Sequence, residues 1–233
     1  MFSRTARFYD ALYSFKNYAA EAAYVHELIE HYGRSTGNRL LDVACGTGKH
    51  AEELSGLYDV DGMDLDEELL AVARERCPYL PFYAGDMVDF DLEQTYDTVM
   101  CLFSSIGYAH PFERMAKAMA TMARHLVPGG VLLIEPWLYR DNFESGHINL
   151  LTVDEPHLKI ARMARSERVG DVSVINFEYL IGTPDGLTHE TERHELGLYS
   201  SDQYDEAMKM AGLQTDYDPI GPMGRGLFVG MKP

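Results

Sequence analysis

The chain has 233 residues and a formal net charge of −17 at pH 7, from 37 acidic and 20 basic side chains. Its length predicts one domain that carries an insert. The charge argues against nucleic acid and anionic membranes as partners, because both are bound through clustered lysine and arginine. A soluble or salt-adapted surface is the simpler explanation of the acidity.

The cysteines indicate the compartment. Cys45, Cys77 and Cys101 form no Cys-x-x-Cys pair, so they predict neither a disulfide framework nor a zinc site. The longest aliphatic run, Val131 to Ile134, is far too short to span a bilayer. The first residues also lack the apolar core of a signal peptide. We therefore expect a cytoplasmic protein with no membrane partner.

The first 32 residues are predicted to be helical. A helix from Tyr18 to Tyr32 places apolar residues 22, 25, 28 and 29 on one face. Before it, Tyr9 and Tyr13 are four positions apart and so share a helix face. Either these tyrosines pack against the core, or they contact a ligand.

The segment Leu40 to His50, LLDVACGTGKH, is the strongest local signal of a binding site. An apolar run containing Asp42 leads directly into Gly46-Thr47-Gly48 and then a helix-forming segment. A strand that ends in a glycine turn and continues into a helix presents free backbone N–H groups to a polar ligand. The pattern therefore indicates a nucleotide-type cofactor site.

A second strand, residues 58–64, ends in Asp64, and Asp66 is the predicted N-cap of the helix EELLAVARER. An acid at this position accepts hydrogen bonds from a ribose diol. A dinucleotide-dependent reductase would need a third glycine at position 51, where this chain has Ala51. Because that fingerprint also tolerates alanine, the reductase stays an alternative.

A third strand, PFYA, precedes Gly85-Asp86-Met87, and the fourth and fifth strands lie in YDTVMCLFSSIGY and PGGVLLIEPW. Asp86 offers an acceptor to the amino group of adenine, and Met87 offers an apolar face. His110 is a candidate base because a histidine can be neutral near pH 7. Pro111 fits the first position of the next helix, so we also expect an exposed His110 at its cap.

Residues 148–199 change character. Three stretches alternate as strands do, HLKIARMARSERV, DVSVINFEYLI and GLTHETERHELGLY, which predicts an inserted antiparallel sheet. Histidines 189 and 194 fall on opposite faces of a strand, so we expect no metal site. From Ser201 a capped helix runs to Gly212, and the strands LQTDYD and GLFVGMK return to the main sheet.

Four motifs, taken in chain order, resemble those of a class I S-adenosylmethionine (SAM)-dependent methyltransferase. They are Asp42 to Gly48, Asp64, GDM at 85–87 and LVPGG at 126–130. Longer stretches narrow the resemblance to the N,N-dimethyltransferases of dTDP-3-amino-deoxysugars in macrolide pathways. These stretches are LDVACGTG, MCLFSSIGY, IEPW and GPMGRGLFVG. The resemblance implies an α/β Rossmann-like sheet, mostly parallel with an antiparallel last strand, plus a small inserted antiparallel sheet. It divides the chain into a lid and SAM-binding core (1–136), an insert (137–200) and a completing helix and strands (201–233).

The resemblance also implies a reaction and its participants. SAM would be the cofactor, and S-adenosylhomocysteine (SAH) the product. A nucleotide-linked amino sugar would be the substrate, and a homodimer is expected. Methylation of another small molecule, such as an amino acid or a natural product, is the alternative within enzymes. A non-catalytic protein that keeps only the fold is the alternative outside them.

The candidate cofactor residues share positions on the glycine turn, at the strand ends or in the lid. Asp42 has a second interpretation, in which it orients the glycine turn without touching the ligand. The full set is Tyr18, Asp42, Ala44, Gly46, Gly48, Asp64, Leu65, Asp86, Met87 and Leu102.

The reaction is a displacement in which an unprotonated amine attacks a methyl carbon, so tyrosines are better neighbours than carboxylates, which would keep the amine charged. By position in the resembling family, Tyr108 ranks first as the catalytic or orienting residue. Tyr13 and His110 follow. Arg225, between glycines, is expected to bind the diphosphate. Arg162, Arg165 and Arg168 are weaker candidates, because a charged strand face is more often simply solvated. The candidate substrate residues are Tyr9, Tyr13, Trp137 and Arg225.

Overall fold

The computed structural model describes residues 5–233, in which strands and helices alternate over the first half of the chain. In chain order the strands are β1 (Arg39–Val43), β2 (Asp59–Asp64), β3 (Phe82–Ala84), β4 (Tyr96–Cys101), β5 (Leu126–Ile134), β6 (Ile148–Glu155), β7 (Leu158–Val169), β8 (Val172–Thr183), β9 (Gly186–Gly197), β10 (Gln214–Asp218) and β11 (Leu227–Met231). The α-helices are α1 (Tyr9–Leu12), α2 (Tyr18–Tyr32), α3 (Lys49–Leu54), α4 (Glu67–Arg76), α5 (Phe112–Arg124) and α6 (Ser201–Met210).

The main sheet has seven strands in the order β10-β11-β5-β4-β1-β2-β3. Strands β1 to β5 pair in parallel, whereas β11 runs antiparallel to both β5 and β10. The predicted sheet, mostly parallel with an antiparallel last strand, is confirmed. Its order reverses between β1 and β4, and in open α/β sheets the ligand cleft lies at that switch point.

Both faces of the main sheet are covered by helices, which explains why its central strands are apolar throughout. The chain from Val131 to Ile134 in β5 is fully buried. Helices α5 and α6 cover one face, where Met119 and Tyr204 join the core. Helices α2, α3 and α4 cover the other, where Val25 and Leu70 are buried. Among the described residues, no helix is long and apolar enough to cross a membrane.

The start of α4 agrees with its predicted cap, whereas that of α5 differs. Asp66 accepts hydrogen bonds from the N–H groups of Glu68 and Leu69, so it is the N-cap of α4. Pro111 has an extended backbone and is itself the N-cap of α5, not its first residue. His110 therefore belongs to the preceding turn, where its N–H donates to the Tyr108 carbonyl. It is half-buried, so the expectation of an exposed cap residue was wrong.

The insert is a four-stranded antiparallel sheet in the order β6-β7-β8-β9. Three of these strands were predicted and are confirmed, but β6 was missed. Strand β6 could not be recognised from apolar and polar alternation, because its apolar residues Ile148 and Leu150 lie on the exposed face. The inner face of this sheet packs on α1 and the residue after it, where Leu12 and Tyr13 meet Phe177.

Helix α6 has a complete capping box. The Ser200 hydroxyl accepts the Gln203 N–H at 3.3 Å, and the Gln203 side-chain oxygen accepts the Ser200 N–H at 3.1 Å. We expect Ser200→Ala to lower the free energy of unfolding by about 1 kcal/mol, because it leaves a helix N–H without its acceptor. Urea denaturation measures this, with the exposed Ser201→Ala as control. Equal stabilities for the two variants would contradict the cap assignment.

Candidate active site

A cavity of about 330 Å³ lies at the carboxyl ends of β1, β2 and β4. It is bordered by the glycine turn after β1, by the end of β2, by the residues after β3 and by the 3-10 helix Ser105–Tyr108. Its position is the one that the reversal of strand order predicts. The sequence-predicted residues on its wall are Tyr9, Ala44, Gly46, Asp64, Leu65, Asp86, Met87, Tyr108 and His110.

A smaller cavity of about 30 Å³ adjoins it, with Tyr9, Ala44 and Gly46 on the walls of both. Three further predicted cofactor residues line it, Tyr18, Asp42 and Leu102. Gly48, Tyr13, Trp137 and Arg225 line neither cavity.

The two glycines of the turn have different roles. Gly46 has a φ of 55°, and a Cβ there would meet nothing within 4 Å, so the missing side chain leaves the space of the cavities open. Gly48 has a φ of 75°, and a Cβ there would lie 3.1 Å from Ala73 Cβ on α4. Gly46 thus leaves room for a ligand, while Gly48 lets α3 pack closely against α4.

Asp64 ties the end of β2 to the glycine turn. Its carboxylate accepts the Gly46 N–H at 2.8 Å and the Asp66 N–H at 2.9 Å. Burial raises the pKa of Asp64 above its ordinary value, although both hydrogen bonds oppose that rise. Each oxygen of an ionised carboxylate keeps a further lone pair, so this side chain can also accept from a diol in the cavity.

The surroundings of the Asp42 carboxylate bear on whether SAM fits this site. Its side chain is buried on the wall of the smaller cavity, and one carboxylate oxygen has no hydrogen-bond partner among residues 5–233. Burial, then the charge of Asp64, raises its pKa well above the usual range. A buried acceptor without a donor is costly, and the ammonium group of SAM would supply that donor. The unpartnered acceptor on the wall of the smaller cavity therefore fits the ammonium group of SAM.

Asp86 and Met87 form the far wall of the main cavity, after β3. One Asp86 oxygen accepts the Val88 N–H at 2.9 Å, and the other lies 3.3 Å from an Arg114 guanidinium nitrogen. Met87 packs half-buried against the core beside it. A flat apolar ring can lie on Met87 while its polar edge reaches Asp86.

Tyrosines of the N-terminal helices border the cavities, where Tyr9 lines both and Tyr18 lines the smaller one. The Tyr9 and Tyr13 rings are 4.7 Å apart, and the Tyr18 ring lies 4.9 Å from the His50 ring. Burial raises the pKa of Tyr9 well above its ordinary value, and the neighbouring Tyr13, Tyr18 and Tyr108 raise it further. These tyrosines are therefore neutral hydrogen-bonding groups at physiological pH.

Arg162 was expected to lie on a solvated strand face, and that expectation was wrong. It is 7% exposed and donates to the Tyr13 hydroxyl at 3.1 Å. Its guanidinium also lies over the Tyr13 and Phe177 rings, at 5.4 and 5.0 Å from their centroids. Because the strand alternates, Arg162 faces the N-terminal helices and Arg165 faces outward. Arg168 shares the face of Arg162 but lies near the end of β7, and both Arg165 and Arg168 are exposed as expected.

Arg225 is paired inside the protein. It donates to Glu135 at 3.0 Å, and Glu135 also accepts the Phe103 N–H at 2.7 Å. The Glu135 side chain is fully buried, whereas that of Arg225 is 20% exposed. Trp137 lies beside this pair, with its ring nitrogen donating to the Ser173 hydroxyl at 2.8 Å. The sequence had singled out Arg225 and Trp137 but not their buried anchor, Glu135.

Tyr108 meets a residue that the sequence did not single out as functional. Its hydroxyl oxygen lies 2.5 Å from Nδ1 of His194 on β9. His194 is buried and His189 is exposed, so the two face opposite sides of β9 as predicted. Within residues 5–233, no group of three acidic, histidine or cysteine side chains could hold a metal ion.

Comparisons with known proteins agree with this geometry. A family model for a methyltransferase domain matches residues 40–130. The dTDP-3-amino-3,6-dideoxy-alpha-D-glucopyranose N,N-dimethyltransferase of Streptomyces fradiae is 38% identical over 218 residues, which is 93% of this chain and 85% of that protein.

Two solved structures are similar over nearly the whole chain. DesVI of Streptomyces venezuelae has a TM-score of 0.92 and 36% identity, and the match covers 98% of each chain. SAM-bound CalS10, an amino pentose methyltransferase from Micromonospora echinaspora, has a TM-score of 0.84 and 37% identity, with 94% of this chain and 92% of that chain covered. The chain therefore belongs to the family of SAM-dependent dTDP-amino-sugar N,N-dimethyltransferases.

Proposed function

We propose that this protein transfers two methyl groups in succession from SAM to the amino group of a dTDP-linked 3-amino-deoxysugar. One observation carries the choice of substrate. Beside a SAM-type cavity, a chain of net charge −17 places a buried arginine, Arg162, and a largely enclosed one, Arg225, whose side chain is 20% exposed. The Nε atoms of both arginines have no hydrogen-bond partner within residues 5–233. Buried donors of this kind favour an anionic ligand such as a diphosphate.

In this proposal the cofactor residues divide the work along the two cavities. Asp64 accepts from the ribose diol, and Asp86 with Met87 holds the adenine, next to Leu65. Asp42 and Tyr18 hold the amino-acid end. Ala44, Gly46 and Leu102 shape the walls, and Gly48 supports the turn by letting α3 pack against α4. When bound, SAM supplies a methyl group on a sulfonium, whose sulfur leaves as a neutral thioether.

The acceptor amine lies next to Tyr108 in this proposal, with Tyr13 and His110 orienting it and Tyr9 closing the cavity. Tyrosine hydroxyls can accept from the amine without holding it permanently charged, as a carboxylate would. Exclusion of water then keeps the amine nitrogen aligned with the methyl carbon. Arg225 grips the diphosphate, and Trp137 borders the sugar.

The proposal is tested by a competition between acceptors. Equal amounts of dTDP-3-amino-3,6-dideoxyglucose, its free amino sugar and an amino acid are incubated with the protein and SAM. We expect methylation of the nucleotide-linked sugar ahead of the others, because only that acceptor offers the diphosphate. Preference for the amino acid, or equal use of the two sugars, would contradict it.

We further propose a cytoplasmic homodimer, in which the two copies meet through the outer face of the β6-β9 sheet. Residues 1–136, 137–200 and 201–233 would then serve as the SAM-binding core with its lid, the assembly face and the completion of the main sheet. On that outer face Leu150 lies opposite Met163, and Ile148 and Leu180 lie close by. All four side chains are more than half exposed. A second copy would cover this apolar patch.

We expect Met163→Glu to convert the dimer to monomer in analytical ultracentrifugation, because it places a charge in the apolar contact. Leu57→Glu, at an exposed leucine before β2, should leave the mass unchanged. An unchanged mass for Met163→Glu would show that this face is not the interface.

A further inference from the structure

We propose that Tyr108, His194 and Glu192 form a proton relay that takes the proton from the substrate ammonium, with the last two residues supplied by the inserted sheet. The relay rests on the amine acceptor proposed above. It assigns to the insert a part in the chemistry, with His194 and Glu192 acting through Tyr108.

The three side chains form a continuous chain of contacts. Tyr108 lines the main cavity, and its hydroxyl oxygen lies 2.5 Å from His194 Nδ1. The other ring nitrogen, Nε2, lies 3.3 Å from a Glu192 carboxylate oxygen. The side chains of His194 and Glu192 are only 1% and 4% exposed. A close packing of β9 on the 3-10 helix allows this contact, since a Cβ at Gly107 would lie 3.0 Å from Leu196.

The neighbours of Glu192 fix the direction of the hydrogen bonds. Thr5 donates to one carboxylate oxygen at 2.8 Å, and Tyr179 donates to the other at 3.1 Å. The hydrogen bonds from His194, Thr5 and Tyr179 hold the pKa of Glu192 below its ordinary value despite burial, so it is ionised and only accepts. His194 therefore carries its proton on Nε2. Its Nδ1 is left as the acceptor of the Tyr108 hydroxyl proton.

The surroundings of His194 keep it neutral until it receives a proton. Burial lowers its pKa and the charge of Arg162 on β7 lowers it further, while Glu192 raises it. Phe177 on β8 packs edge-on at 5.1 Å, with Tyr179 on the same strand bound to Glu192. Tyr108 is the group that faces it from the 3-10 helix. A neutral imidazole next to a carboxylate can take a proton and be stabilised once charged.

Two protons move when the relay deprotonates the substrate ammonium. The bound ammonium gives one proton to the Tyr108 oxygen while the hydroxyl proton of Tyr108 passes to Nδ1 of His194. Tyr108 ends neutral, His194 is positively charged beside Glu192, and the amine has its lone pair. That lone pair forms the N–C bond while the C–S bond breaks, and the electron pair of the broken bond stays on sulfur. After product release the proton returns through Tyr108 to water, which readies the site for the second methyl group.

The kinetic test uses His194→Asn. The Asn side-chain oxygen can accept the Tyr108 hydroxyl near the former Nδ1 position, but it cannot hold a proton at any working pH. We expect kcat near neutral pH to fall on the order of 100-fold or more. KM for the nucleotide sugar and SAH affinity should stay unchanged. Activity should recover as the pH is raised, because the amine then arrives unprotonated. The exposed His189→Asn on the same strand is the control.

A second measurement does not depend on turnover. Nitrogen NMR of histidine-labelled protein, assigned with His194→Asn, should show His194 neutral at pH 7 with its proton on Nε2. Glu192→Gln should lower the pKa of His194 further.

Full activity of His194→Asn at every pH, or a proton on Nδ1 at neutral pH, would overturn the relay. Wild-type protein that leaves the amino sugar unmethylated would contradict the proposed function instead. The NMR result would then still decide whether Nδ1 is open to the Tyr108 proton.

Discussion

Asp64→Ala is expected to weaken SAH binding by about 1.5 to 3 kcal/mol, roughly 10- to 150-fold in Kd, with little change in secondary structure. The loss has two sources. A charge-assisted hydrogen bond to the ribose disappears, and the Gly46 and Asp66 N–H groups lose the acceptor that holds the glycine turn against β2. Isothermal titration calorimetry with SAH measures the effect directly.

Asp59→Ala is the matched control, because Asp59 begins the same strand but is exposed at the other end of the sheet. It should bind SAH as the wild type does. An unchanged Kd for Asp64→Ala, or the same loss in both variants, would contradict the ribose assignment.

Arg225→Ala is expected to lower the free energy of unfolding by about 3 to 5 kcal/mol, because it leaves the fully buried Glu135 charge without its partner. That loss would obscure any effect on the substrate. Arg225→Lys keeps the charge beside Glu135 but loses the planar fork that grips two phosphate oxygens. We therefore expect it to fold, to bind SAH normally and to raise KM for the nucleotide sugar about tenfold or more.

Urea denaturation and steady-state kinetics measure the two effects separately, and the exposed Arg168→Lys serves as control. If Arg225→Lys weakened SAH and the nucleotide sugar equally, Arg225 would be a structural residue and the diphosphate would lie elsewhere.

The main sheet and the cofactor wall could be predicted from sequence because their signals are local. A buried parallel strand is a continuous apolar run, as from Val131 to Ile134, and a capped helix begins at a residue such as Asp66. The glycine turn comes directly after one such strand, and Asp64 is the last residue of another, so both could be placed from the sequence. Strand β6 escaped because Ile148 and Leu150 are exposed, so its pattern does not alternate.

The substrate side could not be predicted to the same extent because its contacts join residues far apart in the chain. Glu135 and Arg225 are 90 positions apart, and Tyr108 and His194 are 86 apart. In the sequence alone, Arg162 is one of several arginines in a predicted strand. Its burial follows from the inward face of β7, which the sequence leaves undetermined until the neighbouring strands are in register.

Mass spectrometry of dTDP-3-amino-3,6-dideoxyglucose incubated with the protein and SAM is the deciding measurement for dimethylation of a nucleotide-linked amino sugar. We expect two successive methyl additions at the amine, both strongly slowed in Asp64→Ala. An unchanged mass under conditions in which SAM binds would contradict the amino-sugar substrate and leave a methyltransferase for another acceptor.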